Sequence, residues 1–208
     1  MKKPIALVFD LGNVLLPIDL DKTYEAFASF SNQFNAEEIK HVTLEEGLWV
    51  KYEAGLQSDK EFETFIVERF NLTCTSEQFQ QAFNALLLRF SKDSCEYIKQ
   101  LGLKFPTYLL SNTSRIHSKE FLDSSFPNFE LFDSFKQIHL SYEMGFVKPD
   151  PRIYLQVIDE NQLHGHHVVF FDDNVNNIEA AKKIGWDAIL INPVTSIQQI
   201  QHHIQSVC

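Results

Sequence analysis

The chain has 208 residues, a formal net charge of −10, and 44% hydrophobic residues, among them 19 phenylalanines. This length suits one large domain or a domain that carries an insertion, with enough apolar residues for a sizeable core. The negative charge argues against a basic surface for nucleic acid or anionic membranes. No run of about 18 apolar residues that could span a membrane is present.

The cysteines and the N-terminal sequence indicate the cellular compartment of the protein. Cys74, Cys95 and Cys208 are few, odd in number and without a recognisable spacing, which is typical of a reducing compartment. Met1-Lys2-Lys3 and the apolar run that follows superficially resemble a signal peptide. However, Asp10 interrupts that run too early, and no small-residue cleavage site follows. We therefore expect a cytoplasmic protein.

The first element is the apolar run Ile5–Phe9, which lacks polar alternation. Such a run predicts a strand buried on both faces, as in a parallel sheet covered by helices. The strand ends in Asp10, and Gly12 and Asn13, residues suited to a positive φ, follow it. Ligands of open α/β sheets bind beyond the carboxyl ends of the strands. Asp10 is therefore a nucleophile, a metal ligand or a helix cap.

Residues 17–92 show helical periodicity and few strand signals. Apolar residues recur at spacings of three and four in four predicted helices. These stripes are Tyr24, Phe27, Phe30 and Phe34; Leu44, Leu48 and Trp49 or Tyr52; Phe62, Phe65, Ile66 and Phe70; and Phe79, Phe83, Leu86, Leu87 and Phe90. Candidate N-caps precede three of them, namely Asp19 or Asp21, Ser58 in a capping-box pattern, and Thr75 or Ser76.

After residue 92, predicted strands alternate with predicted helices. The strands are 107–110, 135–140, 168–171 and 188–191, and the helices are 95–101, 116–121, 151–160, 175–184 and a last one after 193. Alternation of this kind implies right-handed crossovers and a mainly parallel sheet. We therefore predict an α/β fold, a Rossmann-like parallel sheet flanked by helices. Residues 1–16 and 93–208 form this core, and 17–92 form an inserted all-helical domain.

Polar side chains follow three of the predicted strands. They are Asp10, Ser111 with Asn112, and Asp172 with Asp173, and Lys148 lies in a loop before a helix. In a parallel sheet these groups gather at one edge. Adjacent carboxylates repel each other unless a cation lies between them, and oxygen ligands favour Mg²⁺. A lysine and a hydroxyl supply donors for a phosphate group. The set predicts phosphoryl transfer.

These motifs resemble those of the haloacid dehalogenase-like hydrolase superfamily, in its subgroup with a helical cap. The four motifs, in order, are Phe9-Asp10-Leu11-Gly12-Asn13-Val14, Leu110-Ser111-Asn112, Val147-Lys148-Pro149-Asp150 and Phe171-Asp172-Asp173-Asn174. The sequences of the first and last motifs are similar to those of the bacterial α-D-glucose-1-phosphatases. The resemblance covers the whole chain, and it makes the helical domain at 17–92 the cap.

The resemblance implies roles for the first and last motifs. Asp10 would attack phosphorus and form an aspartyl-phosphate, which splits one difficult displacement into two steps. Mg²⁺ would be held by Asp10, the backbone carbonyl of Gly12 and Asp173, and would act as Lewis acid and template.

The resemblance also implies supporting roles around that centre. Ser111 and the Asn112 backbone would hold the phosphoryl oxygens, and Lys148 would offset the negative charge of nucleophile and phosphate. Asp172 would orient Lys148 or a metal-bound water, with Asn177 behind it.

Gly12 departs from the usual family pattern. Most family phosphatases carry there a second aspartate, two residues after the nucleophile, which protonates the leaving group and later activates water. Loss of such a group typically lowers the rate by about 10²–10⁴-fold. The substrate, a metal-bound water or an unidentified residue must then supply the proton. An anomeric oxygen leaves more readily than an ordinary alcohol, so a hexose 1-phosphate suits this gap.

Several further residues have two interpretations. Arg115 and His117 follow the second motif and either reach the substrate or occupy ordinary helix positions. Trp49, Tyr52 and Glu53 share one helical face of the cap. Core packing is favoured for the two aromatic residues, and substrate contact is the alternative.

The resulting prediction is a Mg²⁺-dependent phosphomonoester hydrolase for a small phosphorylated metabolite, such as a sugar phosphate. A metal-independent 2-haloacid dehalogenase is one alternative, although it leaves the pair Asp172 and Asp173 unexplained. A metabolite-binding protein whose catalysis weakened with the loss of the group at Gly12 is another. We expect no nucleic-acid or membrane partner, and the sequence does not indicate an oligomeric state.

Overall fold

The computed structural model describes residues 4–207; Met1-Lys2-Lys3 and Cys208, considered above, lie outside the described residues. Its centre is a five-stranded sheet whose neighbouring strands are all parallel. The strands are β1 (Ile5–Phe9), β2 (Thr107–Ser111), β3 (Gln137–Leu140), β4 (His167–Asp172) and β5 (Asp187–Leu190). Their order, β3-β2-β1-β4-β5, confirms the predicted Rossmann-like α/β fold.

Strand β1 is central and buried on both faces. Leu7 and Phe9 point into one apolar cluster, and Ala6 and Val8 point into the other; all four side chains are 0% exposed. Burial on both faces explains why this strand carries an unbroken apolar run rather than an alternating pattern.

Helices cover both faces of the sheet and fill the insertion after β1. They are α1 (Leu20–Ala28), α2 (Ala36–Glu46), α3 (Val50–Glu53), α4 (Asp59–Phe70), α5 (Ser76–Asn84), α6 (Lys92–Gly102), α7 (Arg115–Phe121), α8 (Ser141–Met144), α9 (Pro151–Glu160), α10 (Val175–Lys183) and α11 (Ser196–Val207). Helices α6 and α11 contribute to the cluster of Leu7, and α9 and α10 to that of Val8. Within residues 4–207, no helix combines the length and apolarity needed to cross a membrane.

Helices α1 to α5 surround a further apolar core, to which Ile116 of α7 also contributes. It contains Tyr24, Phe27, Ile39, Phe62, Ile66, Phe70, Phe79 and Phe83, all at most 1% exposed. Capping boxes at Asn35, Ser58 and Thr75 start α2, α4 and α5, because each cap side chain accepts from an otherwise unpaired backbone N–H. This core is consistent with the prediction that residues 17–92 form a domain inserted into the α/β core. The domain boundaries themselves stay a prediction.

Two helices of the insertion differ from the predicted ones. Helix α1 ends at Ala28, so Phe30 and Phe34 lie outside it, and the Phe30 carbonyl instead accepts from the Thr73 backbone N–H at 2.8 Å. The predicted second helix is split into α2 and α3, because Gly47 adopts a left-handed conformation with φ 58°. Apolar side chains in these loops enter the same core, and they therefore extend the helical pattern beyond the real helix ends.

Candidate active site

Three aspartates meet where β1 and β4 end. Asp10 follows β1, Asp172 is the last residue of β4, and Asp173 comes next. The strands pair in register at Phe9 and Phe171, so their carboxyl ends lie side by side. Each carboxylate offers an oxygen within 4.8 Å of the other two. The site therefore lies at the point where the strand order reverses, the usual ligand position in such sheets.

Lys148 lies between two of these carboxylates. Its Nζ is 2.8 Å from Asp10 Oδ1, donates to Asp172 Oδ2 at 2.7 Å and donates to the Leu110 carbonyl at 3.0 Å. Its side chain is only 1% exposed. Burial acts to lower the pKa of Lys148, but the two carboxylates outweigh it and raise that pKa. The lysine is therefore held charged, with its three protons directed at three oxygens.

Asp172 is fully engaged by protein groups. Its Oδ1 accepts from the Asn174 backbone N–H at 2.8 Å and from Asn177 Nδ2 at 2.9 Å, while Oδ2 accepts from Lys148. The side chain is 0% exposed. Since both oxygens are occupied, Asp172 fits the orienting role predicted for it, with Asn177 behind it.

Asp10 and Asp173 are less fully engaged. Asp10 Oδ1 accepts from the Leu11 backbone N–H at 2.8 Å, whereas no donor among residues 4–207 reaches its Oδ2. Asp173 Oδ2 accepts from Asn13 Nδ2 at 3.1 Å. Burial raises the pKa of Asp10 to about 7 and that of Asp173 above its usual value, and neighbouring carboxylates add to both shifts. Three carboxylates beside one lysine form a donor set that fits a hard divalent cation.

The end of β2 completes the site. Asn112 Oδ1 accepts from the backbone N–H of Lys148 at 2.8 Å, and Asn112 Nδ2 donates to the carbonyl of Lys148 at 2.9 Å. This pair of bonds holds the lysine loop against β2. The hydroxyl of Ser111 makes only a long 3.4 Å contact with the carbonyl of Asn112. It therefore remains available to a ligand.

A cavity of about 460 Å³ lies above these residues. Gly12, Ser111 and Asn112 line it from the sheet side. We call these three residues, together with the neighbouring charged cluster of Asp10, Lys148, Asp172 and Asp173, the floor. Its wall comes from the helical insertion and the segments joining it to the core, and most of the wall is apolar. The wall residues include Ile18, Leu20, Tyr24, Thr43, Leu44, Trp49, Val50, Glu53, Leu86 and Leu87. The ends of the strands thus open into a space covered by the insertion.

The two aromatic residues that were predicted to share a helical face, Trp49 and Tyr52, lie in different environments. Trp49 lines the cavity and packs against Tyr24 and Phe83, with ring centroids 5.8 and 5.2 Å apart. Tyr52 is 1% exposed and belongs to the core of the insertion. Its hydroxyl donates to Asp59 at 2.9 Å and accepts from a backbone N–H of α7 at 3.3 Å. Trp49 therefore has access to a ligand, and Tyr52 joins the insertion to the core.

Arg115 and His117, neighbours on α7, also differ. Arg115 is exposed and does not line the cavity; it lies 3.6 Å from Asp59 and 5.1 Å from the ring centre of Tyr142. His117 lines the cavity, but its Nε2 is 3.1 Å from the Phe83 carbonyl. Burial lowers the pKa of His117 to about 4, so the ring is neutral. The structure therefore does not bring Arg115 together with the other candidate residues.

Comparison with known proteins identifies the family. Residues 6–185 match the model of the haloacid dehalogenase-like hydrolases. The chain belongs to this family. It is 29% identical to the D-ribitol-5-phosphate phosphatase of Bacteroides thetaiotaomicron, over 87% of this chain and 88% of that protein.

Solved structures of the family share the fold. A HAD family enzyme of Bacteroides thetaiotaomicron, solved in complex with magnesium and inorganic phosphate, is 27% identical with a TM-score of 0.79 over 91% of this chain and 95% of that one. The L-2-haloacid dehalogenase of Xanthobacter autotrophicus has a TM-score of 0.61 at 19% identity, over 92% and 78% of the two chains. That second likeness shows the fold alone.

The sequence-based prediction gave no role in the site to three residues that the structure places at or near it. Asn13, interpreted only as a turn former, donates to Asp173. Ser141 directly follows β3 and is 0% exposed; its hydroxyl connects the loops after β2 and β3 with the insertion. Glu53 lines the cavity. Ser141 could have been found by extending to β3 the rule that polar residues follow the strands of the site.

Proposed function

We propose that the protein is a Mg²⁺-dependent phosphatase that hydrolyses a small phosphorylated metabolite through an aspartyl-phosphate on Asp10. The observation that carries this proposal is the cluster of three carboxylates beside one buried lysine, next to a cavity that the insertion covers. Its family membership supports it, as do a relative named as a phosphatase and a similar structure that contains magnesium and phosphate.

Each residue of the site has its own role in the proposed reaction. Asp10 attacks phosphorus, and Lys148 offsets the charge of nucleophile and phosphate, since it is held charged against them. The Ser111 hydroxyl and the Asn112 backbone N–H bind phosphoryl oxygens. Mg²⁺, held by Asp10, the Gly12 carbonyl and Asp173, supplies Lewis acidity when bound. These assignments rest on the free oxygen of Asp10 and on the unengaged hydroxyl of Ser111.

The insertion acts as the cap in this proposal. Residues 17–92 cover the core formed by 1–16 and 93–208, and their side chains form most of the cavity wall. A wall of this kind excludes water and selects the leaving group of the substrate. The proposed location is cytoplasmic, because the free thiols Cys74 and Cys95 suit a reducing compartment.

The proposed substrate class is the sugar and sugar-alcohol phosphates. Gly12 favours a hexose 1-phosphate, whose anomeric oxygen leaves readily, whereas the relative from Bacteroides thetaiotaomicron is named for ribitol 5-phosphate. The mostly aliphatic wall offers few partners to sugar hydroxyls, which makes an alkyl phosphate a useful comparison. Similar kcat/KM values for hexose 1- and 6-phosphates would remove the argument for the anomeric position.

The test is phosphate release from a panel of phosphorylated metabolites, with Mg²⁺ and with EDTA. We expect Mg²⁺-dependent turnover that Asp10→Asn lowers by at least about 10⁴-fold, since the nucleophile is lost. The matched control is Asp93→Asn, at an exposed position of α6, which should keep full activity. Phosphate release that survives both EDTA and Asp10→Asn would refute the mechanism.

The two alternative functions, a dehalogenase and a metabolite-binding protein, can be tested with the same protein preparations. Chloride release from 2-chloropropionate in EDTA, without phosphatase activity, would identify a dehalogenase. Thermal stabilisation by a phosphorylated metabolite without any turnover would identify a binding protein.

A further inference from the structure

The proposed phosphatase needs a proton donor for its leaving group, and Gly12 has no side chain to supply one. Phosphoryl transfer places the attacking and leaving oxygens roughly in line. Asp10 attacks from the sheet side, and Leu11 and Gly12, which follow it, line the cavity. The leaving oxygen therefore points away from the sheet, towards the wall formed by the insertion. A side chain that donates a proton to this oxygen therefore has to lie on that wall.

Three residues with titratable side chains line the cavity among the described residues: Tyr24, Glu53 and His117. Burial raises the pKa of Tyr24 to about 12, which makes it a weak acid at neutral pH. His117 is neutral, stacks on Phe83 with ring centroids 4.1 Å apart and contacts the Phe83 carbonyl through Nε2. Tyr24 is therefore a poor proton donor, and the Nε2 proton of His117 is directed at a backbone carbonyl. Glu53 remains.

The backbone of Glu53 is fixed against the sheet domain. Its carbonyl accepts from the Ser141 hydroxyl at 2.6 Å, and Ser141 Oγ accepts from the Thr113 backbone N–H at 2.9 Å. Two residues later, Gly55 packs so closely against the Tyr142 backbone that a Cβ on Gly55 would lie 2.1 Å from its carbonyl oxygen. Glu53 is therefore held in place by the segments that follow β2 and β3, and the first of these, with Asn112 and Thr113, also lines the cavity.

The side chain of Glu53, in contrast, has no fixed interaction partner among the described residues. It is half-buried, and no hydrogen bond or ion pair within residues 4–207 engages its carboxylate. Burial raises the pKa of Glu53 to about 7, although the positive charge of Lys148 from the floor acts in the opposite direction. Tyr24 also faces it from α1. A half-buried carboxyl without partners that lines a ligand cavity is an arrangement suited to proton transfer.

We propose that Glu53 is the general acid and base of this enzyme, replacing from the cap the group that is absent at Gly12. This inference rests on the proposed phosphatase function. Asp10 forms a bond to phosphorus as the bond to the leaving oxygen breaks, and that oxygen takes the Glu53 proton and departs as an alcohol. The Glu53 carboxylate then takes a proton from water as the water oxygen bonds to phosphorus. The Asp10–phosphorus bond breaks, and inorganic phosphate and protonated Glu53 result.

The test compares leaving groups that do and do not need a proton. With the alkyl or sugar-alcohol phosphate that wild type hydrolyses, Glu53→Gln should lower kcat by about 10²–10⁴-fold. With p-nitrophenyl phosphate, whose phenolate leaves unprotonated, formation of the aspartyl-phosphate should slow by less than tenfold, measured as the burst of nitrophenolate. Glu53→Asp should recover part of the lost kcat. The matched control is Glu25→Gln, an exposed glutamate of α1 outside the cavity.

A second measurement is independent of turnover. Carboxyl ¹³C NMR of the Mg²⁺-free protein should show one glutamate that titrates near neutral pH, and its signal should be missing from Glu53→Gln and present in Glu25→Gln. Equal losses on both substrates, or no loss on either, would overturn the proposal for Glu53 while leaving the phosphatase in place. A titration of Glu53 near the ordinary glutamate value would also overturn it. A wild-type protein without phosphatase activity on any substrate would overturn both proposals.

Discussion

The floor and the wall of the cavity are built in opposite ways. On the floor, Lys148 directs its protons at three oxygens and both oxygens of Asp172 are occupied. On the wall, most side chains are aliphatic, the Glu53 carboxylate has no partner, and the buried Thr43 hydroxyl oxygen has none within residues 4–207. Lys148 and Asp172 on the floor are thus fully paired within the protein, whereas these two polar groups of the wall are not.

This difference separates what the fold does from what the individual enzyme does. A floor whose donors are already in position stabilises charge without reorganisation when phosphate binds. A wall with unpaired polar groups on an apolar surface becomes complete only with a substrate, and its shape therefore selects among substrates. The two sides should therefore respond to mutation as differently as their contacts imply.

The largest expected effect is on the floor. Asp172→Asn removes the buried carboxylate that is paired with Lys148 at 2.7 Å and leaves the lysine with less charge compensation. Breaking a buried ion pair of this kind typically costs about 3–5 kcal/mol. Urea denaturation of the Mg²⁺-free protein should show a loss of this size in the free energy of unfolding.

Asp173→Asn is the matched control for that experiment. The raised pKa of Asp173 means that the folded protein disfavours its charge when no cation is bound. Neutralising this side chain should therefore leave the Mg²⁺-free protein equally stable or more stable. Similar losses for the two variants would contradict the distinction between an engaged and an unengaged aspartate.

The junction of floor and wall should respond to pH through His117. Its folded-state pKa of about 4 lies below the ordinary value of 6.5, so the unfolded chain takes up a proton before the folded one does. The contribution of neutral His117 to the free energy of unfolding is therefore complete above pH 6.5. It falls by about 3 kcal/mol as the pH is lowered from 6.5 towards 4. His117→Gln can still donate to Phe83 but cannot titrate. Its stability deficit relative to wild type should shrink by that amount between pH 7 and 4, and a constant deficit would contradict the assignment.

The floor was predictable from sequence because its determinants are local. A strand buried on both faces is recognisable from an unbroken apolar run, and the residue after it must lie at the sheet edge. Asp10, Ser111 and Asp173 were located by this rule, and the structure places them around one site. Ser141 obeys the same rule and was missed, because β3 starts with the exposed Gln137 and the half-buried Ile138, so its apolar signal is weak.

The wall was not predictable because its determinants are distant in sequence. The position of α3 depends on the left-handed Gly47 and on the bond from Ser141 to the Glu53 carbonyl, which joins residues 88 apart. A helical stripe shows that a residue is apolar, but it does not distinguish the core of the insertion from a cavity wall. Tyr52 and Trp49 belong to one stripe, yet the first is buried and the second lines the cavity.

The smallest expected effect concerns the contact that holds the wall against the floor. Gly55 and Gly145 both have a positive φ, 70° and 78°, so alanine is strained at either position. Only at Gly55 would the new Cβ meet backbone, 2.1 Å from the Tyr142 carbonyl oxygen; at Gly145 no atom lies within 4 Å. Gly145→Ala should therefore report the backbone strain alone, about 1 kcal/mol.

Gly55→Ala should cost about 2 kcal/mol more than Gly145→Ala, because α3 must move away from the sheet domain to relieve the overlap. That movement also displaces Glu53, so kcat for an alkyl or sugar-alcohol phosphate should fall, while the burst with p-nitrophenyl phosphate changes little. Urea denaturation and the two assays measure these effects on the same preparations. Equal stability losses for the two variants, with kcat unchanged in Gly55→Ala, would mean that the wall does not depend on this contact for its position.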